Sequence, residues 1–160
     1  VDILKEDATS ELAQQTVGLL AELLHENQRN AMLFGKVDLS VETLLELSFE
    51  TSLKSVVELN ACWGVTNFAA GDDERLRRVA EMDGALTAMS RLIARGDKKQ
   101  QQYACQMLAS DVLKSQAGRK KIVRVPGLLA SLATACTNFE DDRRRYSVEV
   151  LNNLAAGPST

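Results

Sequence analysis

The residues best suited to contact a partner lie on one predicted helix, which carries Trp63 and Asn67. These side chains are four residues apart and therefore share a helix face, whereas Ala61, Val65 and Phe68 form a separate apolar stripe. An asparagine amide can donate and accept hydrogen bonds at once. This spacing predicts a helix with one face in the core and another face that displays polar and aromatic groups.

Residue types that support catalysis are sparse. The only histidine, His25, lies at a predicted helix end, where a cation would favour the C-terminal dipole. Cys62, Cys105 and Cys136 lack CxxC spacing, and the sequence has no metal-ligand pattern, no glycine-rich phosphate loop and no nucleophile–base pair. The sequence therefore predicts a non-enzyme with no cofactor and no metal.

Three clusters of basic residues could bind an acidic partner. The clusters are Arg75, Arg77 and Arg78; Arg119, Lys120, Lys121 and Arg124; and Arg143, Arg144 and Arg145. The first and third adjoin acidic residues, which predicts a solvated, partly self-paired surface. The second has no acid nearby in the sequence and is the candidate basic patch for RNA or an acidic partner. Binding there would weaken steeply with salt.

Charge and composition narrow the class of partner and the compartment. A net charge of -3 and a pI near 5.3 argue against a general nucleic-acid-binding surface. The odd number of cysteines suits a reducing compartment, and no apolar run approaches the roughly 18 residues of a membrane span. The sequence also lacks a signal-peptide pattern. We expect a cytoplasmic or nuclear protein without a membrane span.

The elements that position these residues are predicted to be helices, because alanine, leucine, glutamate and arginine are plentiful and only two prolines occur. Ser10 is the expected N-cap of the first helix, and Gly35 is expected to turn the chain in left-handed conformation. The first helix is expected to pack through Leu12, Leu19, Leu20, Leu23 and Leu24, and the fourth through residues that include Val56 and Val57. The predicted helices span residues 11–24, 27–34, 39–49, 53–71, 74–82, 85–94, 98–113, 119–125, 128–136 and 141–156.

One helix recurs along the chain. A shift of 43 residues aligns Asn67 with Ser110 and then Asn153, and a shift of 45 residues in the other direction reaches Glu22. Gly84 and Gly127 show the same 43-residue spacing. Four copies of one helix predict a helical repeat protein. The expected organisation is an isolated third helix at 10–25 and three-helix units at 26–71, 72–114 and 115–157.

The repeated segments resemble the armadillo repeat family. The matching corners are Gly84-Ala85-Leu86 and Pro126-Gly127-Leu128-Leu129, and the matching third helices contain Val65-Thr66-Asn67-Phe68-Ala69 and Leu151-Asn152-Asn153-Leu154-Ala155. The resemblance covers nearly the whole chain and implies an all-α, right-handed α-solenoid, or superhelix, of three-helix repeats. HEAT repeats, which have two helices per unit, are the competing architecture. Fold resemblance by itself does not define a function.

The resemblance also implies a binding groove. In armadillo arrays, third-helix asparagines bind the backbone of an extended peptide, and a tryptophan one turn earlier clamps the aliphatic part of a lysine. Asn67, Asn153 and Trp63 match those positions, whereas Ser110, Gln106 and Glu149 depart from the pattern. The candidate groove therefore comprises Trp63, Asn67, Gln106, Ser110, Glu149 and Asn153. The alternative interpretation is structural, with Trp63 packed between helices and the asparagines bonded to a neighbouring loop.

The leading hypothesis is a protein-interaction scaffold or adaptor that binds an extended peptide or a partner helix. Glu22, Gln106 and Glu149 would favour a basic segment. Asp111 takes a position where a core residue is expected, which predicts either a shifted helix or a strained repeat. The second hypothesis is a structural building block that docks through its outer faces and ends, and the third is the basic patch. Because solenoid ends need cover, we expect a segment of a longer protein, further repeats or self-association.

Overall fold

A computed structural model describes residues 11–49 and 55–156, so the predicted cap Ser10 and the predicted helix start at Leu53 lie outside the described residues. Throughout these two ranges the regular secondary structure is helical, without a strand. The helices are α1 (Glu11–Leu24), α2 (Gln28–Phe34), α3 (Ser40–Leu47), α4 (Ser55–Ala69), α5 (Asp73–Glu81), α6 (Ala85–Arg95), α7 (Lys98–Leu108), α8 (Asp111–Lys114), α9 (Gln116–Ile122), α10 (Leu128–Asn138) and α11 (Asp142–Ala155). The all-α prediction is confirmed.

The chain forms two compact units, which we call unit 1 (residues 1–79) and unit 2 (residues 80–160). In sequence, the order of short, medium and long helix occurs as α2–α4 and as α9–α11, whereas α5 is followed by α6 and α7, which each have 11 residues. That order agrees with the predicted three-helix repeat. The boundaries of the individual repeats stay a prediction.

Unit 1 is built around α4, which packs against α1, α2 and α3. A glycine makes the closest approach possible, since a Cβ on Gly64 would lie 2.9 Å from Leu44 Cδ1 of α3 and 3.8 Å from Ala21 Cβ of α1. Val65 and Phe68 of α4 are fully buried between these helices. Small residues at the contact let the helix backbones come close, and larger side chains pack around this contact.

The prediction of the packing face of α1 is wrong for three of its five leucines. The buried residues of α1 are Ala13, Val17, Ala21 and Leu24, whereas three residues of the predicted leucine stripe, Leu12, Leu19 and Leu23, are 61%, 62% and 50% exposed. The helix carries two apolar stripes, one of small and one of large residues. The small stripe packs on α4 because only short side chains fit that close contact. Val56 of α4 is likewise exposed, and its neighbour Val57 is buried.

The left-handed conformation predicted for Gly35 is also wrong. Gly35 has a φ of -65° and closes α2, with its N–H donating to Ala31 O at 3.0 Å. A glycine is required at this position by packing and not by its φ value, because a Cβ there would lie 2.8 Å from Phe68 Cε2. The left-handed residue before α3 is Leu39, with a φ of 54°.

In unit 2, α6 packs on α7, α10 packs on α11, and α7 packs on α11. Gly84 and Gly127 have φ values of 86° and 75° and immediately precede α6 and α10. This conformation favours glycine because other residues have a Cβ that clashes. The corner role predicted from the 43-residue spacing of these glycines is therefore confirmed.

The predicted helix 98–113 is interrupted. It begins as expected at Lys98, where Asp97 and Gln100 form a capping box, but α7 ends at Leu108. Ser110 then adopts an extended conformation as the N-cap of the short α8, which begins at Asp111. Ser110 makes no side-chain capping hydrogen bond. The prediction of one continuous helix over residues 98–113 is therefore wrong.

Candidate partner-binding surfaces

Trp63 and Asn67 lie together in unit 1, where α4 meets the end of α1. Trp63 Nε1 donates to Glu22 Oε1 at 3.3 Å, and the Trp63 and His25 ring centroids are 5.2 Å apart. His25 Nδ1 lies 3.4 Å from Asn67 Oδ1. Two hydrogen bonds and the contact between the two rings join the four side chains into one group, in which Trp63 and Asn67 are each only 2% exposed.

The amide of Asn67 bonds to the last turn of α1. Its Nδ2 donates to Ala21 O at 2.9 Å, and Asn30 Nδ2 donates to Leu23 O at 2.8 Å. The last four carbonyls of a helix have no partner within the helix, so without these bonds the carbonyls would be buried without a hydrogen bond. Asn67 therefore has a structural task in unit 1. A direct contact of Trp63 or Asn67 with a peptide stays a prediction.

Unit 2 contains the other four predicted groove residues. Gln106 is exposed on α7, and Glu149 of α11 forms an ion pair with Lys114, with Glu149 Oε1 at 2.8 Å from Lys114 Nζ. Ser110 stands between α7 and α8, and both helices contact α11, which carries Asn153. These residues belong to packed elements of one unit.

Two of those residues have unused hydrogen-bonding capacity. Ser110 Oγ and Asn153 Nδ2 are buried atoms that have no hydrogen-bond partner within the described part of the chain. Leaving a polar group in this state costs about 1–3 kcal/mol. Asn67 and Asn153 are equivalent in the repeat, yet only the amide of Asn67 is satisfied by its own unit. Among the predicted groove residues, the buried polar atoms without a partner in the described ranges therefore lie at Ser110 and Asn153.

The first basic cluster closes the end of α4. Arg75 Nε donates to Phe68 O at 2.7 Å, Arg75 Nη2 donates to Ala70 O at 3.1 Å, and a further N–H of the guanidinium bonds to Gln28. The backbone N–H of Arg75, and then its charge, hold the pKa of Asp72 below its ordinary value. Arg75 is mostly buried, so the predicted solvated surface does not describe this residue, although its predicted pairing with an acid is confirmed.

The third cluster contains a similar arrangement in unit 2. Arg143 donates two side-chain hydrogen bonds of 2.8 Å to Asp141 and one of 2.6 Å to Gln101. Its guanidinium lies 3.5 Å from the centroid of the Phe139 ring. These side-chain hydrogen bonds lower the pKa of Asp141 and raise the pKa of Arg143. The arginine holds the start of α11 against α7.

The candidate basic patch on α9 lies beside acids, contrary to the sequence prediction. Lys121 and Arg124 line a depression of about 350 Å³ together with Glu81 and Asp83. Lys121 Nζ donates to Ala80 O at 2.9 Å, so this ammonium already has a partner. Folding brings the acids in from a distant part of the sequence. Arg119 is half-buried, and Lys120 is exposed.

Sequence reasoning missed an apolar groove in unit 1. It has a volume of about 380 Å³ and is lined by Leu12, Thr16, Leu19, Leu20, Leu23, Phe34, Val37, Ser40, Thr43 and Leu44. The available signal was the second apolar stripe of α1, which the sequence analysis assigned to the core. A monomeric protein seldom exposes several large apolar side chains together without a binding role.

The described residues contain neither a metal-binding cluster nor a membrane-spanning helix. Across 11–49 and 55–156, no group of three or more histidine, cysteine, aspartate or glutamate side chains is arranged to bind a metal ion. Nor does any helix in those ranges combine the length and the apolar character needed to cross a bilayer. All three cysteines are free thiols, and burial raises the pKa of Cys105.

Solved structures of other proteins have a similar arrangement of helices. A computationally designed armadillo repeat protein for modular peptide recognition superimposes with a TM-score of 0.70 at 18% identity, covering 94% of this chain and 61% of that chain. The fold is armadillo-like. A designed armadillo repeat protein in complex with the peptide (KR)4 gives a TM-score of 0.67 at 20% identity, covering 96% of this chain and 62% of that chain. The predicted armadillo-type fold class is confirmed.

These armadillo-like neighbours show the fold alone, because their sequence identities are low. This chain spans less than two thirds of the length of either designed protein. No protein-family model matches the sequence, and the search of curated proteins found no match.

Proposed function

We propose that this protein is a protein-interaction scaffold that binds an extended peptide through the long helices of its armadillo-like fold. The observation that carries the proposal is the contrast between Asn67, whose amide is satisfied within unit 1, and Asn153, whose Nδ2 is buried and has no partner in residues 11–49 and 55–156. A structural neighbour that binds the peptide (KR)4 supports the same class of ligand. The proposal does not depend on a direct contact from Trp63 or Asn67.

The proposed contact residues lie in unit 2. Both atoms are buried, so binding requires the two side chains to reorient; Asn153 Nδ2 would then donate to a carbonyl of the peptide backbone, and Ser110 Oγ would donate or accept. A backbone contact of this kind recognises extended peptides with little regard to sequence. Gln106 is exposed and available as a further polar contact. Binding would supply partners for two buried polar atoms, which is a favourable change beyond the new contacts themselves.

Charge favours a basic segment. Glu149 is partly exposed and forms an ion pair with Lys114. Exposed ion pairs contribute little to stability, typically under about 1 kcal/mol, so a lysine or arginine of a peptide would replace Lys114 at small cost. Replacement of Lys114 is therefore part of the proposed binding step.

The test uses fluorescence anisotropy with labelled (KR)4 and with its acidic counterpart (DE)4. We expect (KR)4 to bind more tightly, and Asn153→Ala to weaken its binding by about two- to tenfold, the value of one amide hydrogen bond. Asn152→Ala is the matched control, because Asn152 is an exposed asparagine one residue away. Equal affinities for Asn152→Ala and Asn153→Ala would refute the site, and no binding of either peptide would refute the function.

A docking role is the second candidate, favoured by the exposed leucines of α1. The nucleic-acid alternative is not favoured, since Lys121 is bonded within unit 2 and Glu81 and Asp83 lie in the same depression.

A further inference from the structure

The ion pair between Lys114 and Glu149 joins α8 to α11. Lys114 Nζ lies 2.8 Å from Glu149 Oε1, and both side chains are partly exposed. Lys114 is the last residue of α8, a helix of only four residues, whereas Glu149 lies in the middle of α11. The pair therefore ties a short segment of unit 2 to one of its long helices.

Each member of this ion pair lies one helical turn from a proposed contact residue. On α11, Glu149 and Asn153 are four residues apart and share a helix face. On α8, the backbone N–H of Lys114 donates to Ser110 O at 3.2 Å, so Ser110 lies one turn before Lys114. The ion pair thus adjoins, along both helices, the two residues whose polar atoms are buried without a partner in the described ranges.

The position of α8 depends on its contacts with the rest of unit 2. A helix of four residues is not stable by itself in water. Its described contacts include the buried side chain of Leu113 and the ion pair from Lys114 to α11. A buried polar atom without a partner is unfavourable, so Ser110 Oγ and Asn153 Nδ2 favour any motion that gives them partners. The contacts of α8 oppose that motion.

We infer that the Lys114–Glu149 ion pair is a latch on the peptide site, in which Lys114 takes the place of a basic side chain of the ligand. The closed latch holds α8 against α11 and keeps Ser110 and Asn153 turned inward. A lysine or arginine of the peptide replaces Lys114 at Glu149, and the two side chains then reorient toward the peptide. The inference rests on the proposed function and adds a regulatory contact to the same site, because loss of the Lys114 charge opens it.

The test is fluorescence anisotropy of labelled (KR)4 with the full chain at physiological salt. Lys114→Gln removes the latch and leaves Glu149 to the peptide, so it should tighten binding by about two- to fivefold, the effect of one exposed ion pair. Lys120→Gln is the matched control, because Lys120 is an exposed lysine of α9 and the change in net charge is the same. It should leave the affinity within about 1.5-fold, since salt screens exposed charges.

A double variant separates the latch from a general effect of charge. Glu149→Gln removes the latch and the contact with the peptide together. Adding Lys114→Gln to Glu149→Gln should therefore change the affinity by no more than about 1.5-fold. An equal gain from Lys114→Gln in both backgrounds would overturn the latch, and so would an equal gain from Lys120→Gln. Circular dichroism should show that every variant keeps the helical fold of the parent.

Amide hydrogen exchange tests the latch without a ligand. The N–H of Leu113 donates to Ser110 O at 3.1 Å within α8. In Lys114→Gln this amide should exchange about two- to fivefold faster, because α8 is held less firmly, and in Lys120→Gln it should exchange at the parent rate. Unchanged exchange in Lys114→Gln would contradict the latch.

The binding data also separate a failure of the latch from a failure of the proposed function. If the parent binds (KR)4 as tightly as Lys114→Gln does, the latch is wrong and the peptide site stands. If (KR)4 binds neither the parent nor any variant, the proposed function is wrong, and the latch has no site to regulate.

Discussion

Replacing Asn67 by alanine should destabilise unit 1, whereas the equivalent change at Asn153 should not. Asn67 Nδ2 donates to Ala21 O at 2.9 Å from a site that is 2% exposed. Asn67→Ala removes that bond and leaves a buried carbonyl at the end of α1 without a donor. The cost of such a change is about 1–3 kcal/mol. For a chain of this size, each kcal/mol corresponds to a decrease in Tm of about 2–4 °C.

Asn153→Ala removes a buried N–H that has no partner in the part of the chain that the structure describes, so the free energy of unfolding should stay within about 0.5 kcal/mol of the parent value or rise. The assay is urea denaturation followed by circular dichroism for both variants. Trp63 is the only tryptophan and lies beside Asn67, so its fluorescence reports the unfolding of unit 1 directly. Equal losses of stability for the two variants, or a loss under about 0.5 kcal/mol for Asn67→Ala, would refute the reasoning.

Three further predictions follow from local geometry. Gly35→Ala should lower the free energy of unfolding by about 1–3 kcal/mol in urea denaturation, because the new Cβ would lie 2.8 Å from Phe68 Cε2 in a packed core. The pKa of Asp141 in the folded protein lies below its ordinary value of 3.8. Its contribution to stability is therefore fully present above pH 3.8 and is lost as the pH falls through the lower, folded-state pKa. Asp141→Asn should weaken this dependence of stability on acid pH, which is measured as Tm against pH. Among the thiols of unit 2, Cys136 should react with a thiol reagent before Cys105 in the native protein, because Cys105 is fully buried and Cys136 is half-buried, and mass spectrometry of the labelled protein identifies the order.

Local signals were sufficient to predict the type of element and its limits in most of the chain. Asp97 caps α7 at the residue before the predicted start, and Gly84 and Gly127 adopt the left-handed conformation before α6 and α10. Such features depend on a residue and its immediate neighbours, since caps and positive φ values are settled within a few residues of chain. The interruption at Ser110 is also local, and the paired Ser110 and Asp111 were its signal.

Burial was harder to predict, because it depends on which faces meet. On α1, the small stripe containing Ala13 and Val17 and the large stripe containing Leu12 and Leu19 are both apolar. Periodicity identifies apolar stripes but does not measure how closely the neighbouring helix approaches. The glycine at position 64 of α4 sets that distance, and it selects the small stripe. The leucines of the large stripe are left exposed along the 380 Å³ groove.

At the candidate peptide site, too, the sequence predicted the positions of the residues, and the tertiary structure decided which of them find hydrogen-bond partners. The sequence placed Asn67 and Asn153 at equivalent repeat positions and predicted equal roles for them. The structure distinguishes them because the amide of Asn67 meets a carbonyl at the end of α1 and the amide of Asn153 meets no acceptor among the described residues. Likewise, Lys121 appeared isolated from acids until folding placed it beside Glu81.

The sequence alone determined the helices, their repeat and their corners, because these follow from hydrogen bonds and steric limits within short stretches of chain. Tertiary structure decided which apolar stripe is buried and which polar side chains find partners. Those outcomes depend on distances between residues about 40 positions apart, such as Asn67 and Ala21, which are set only when the helices pack.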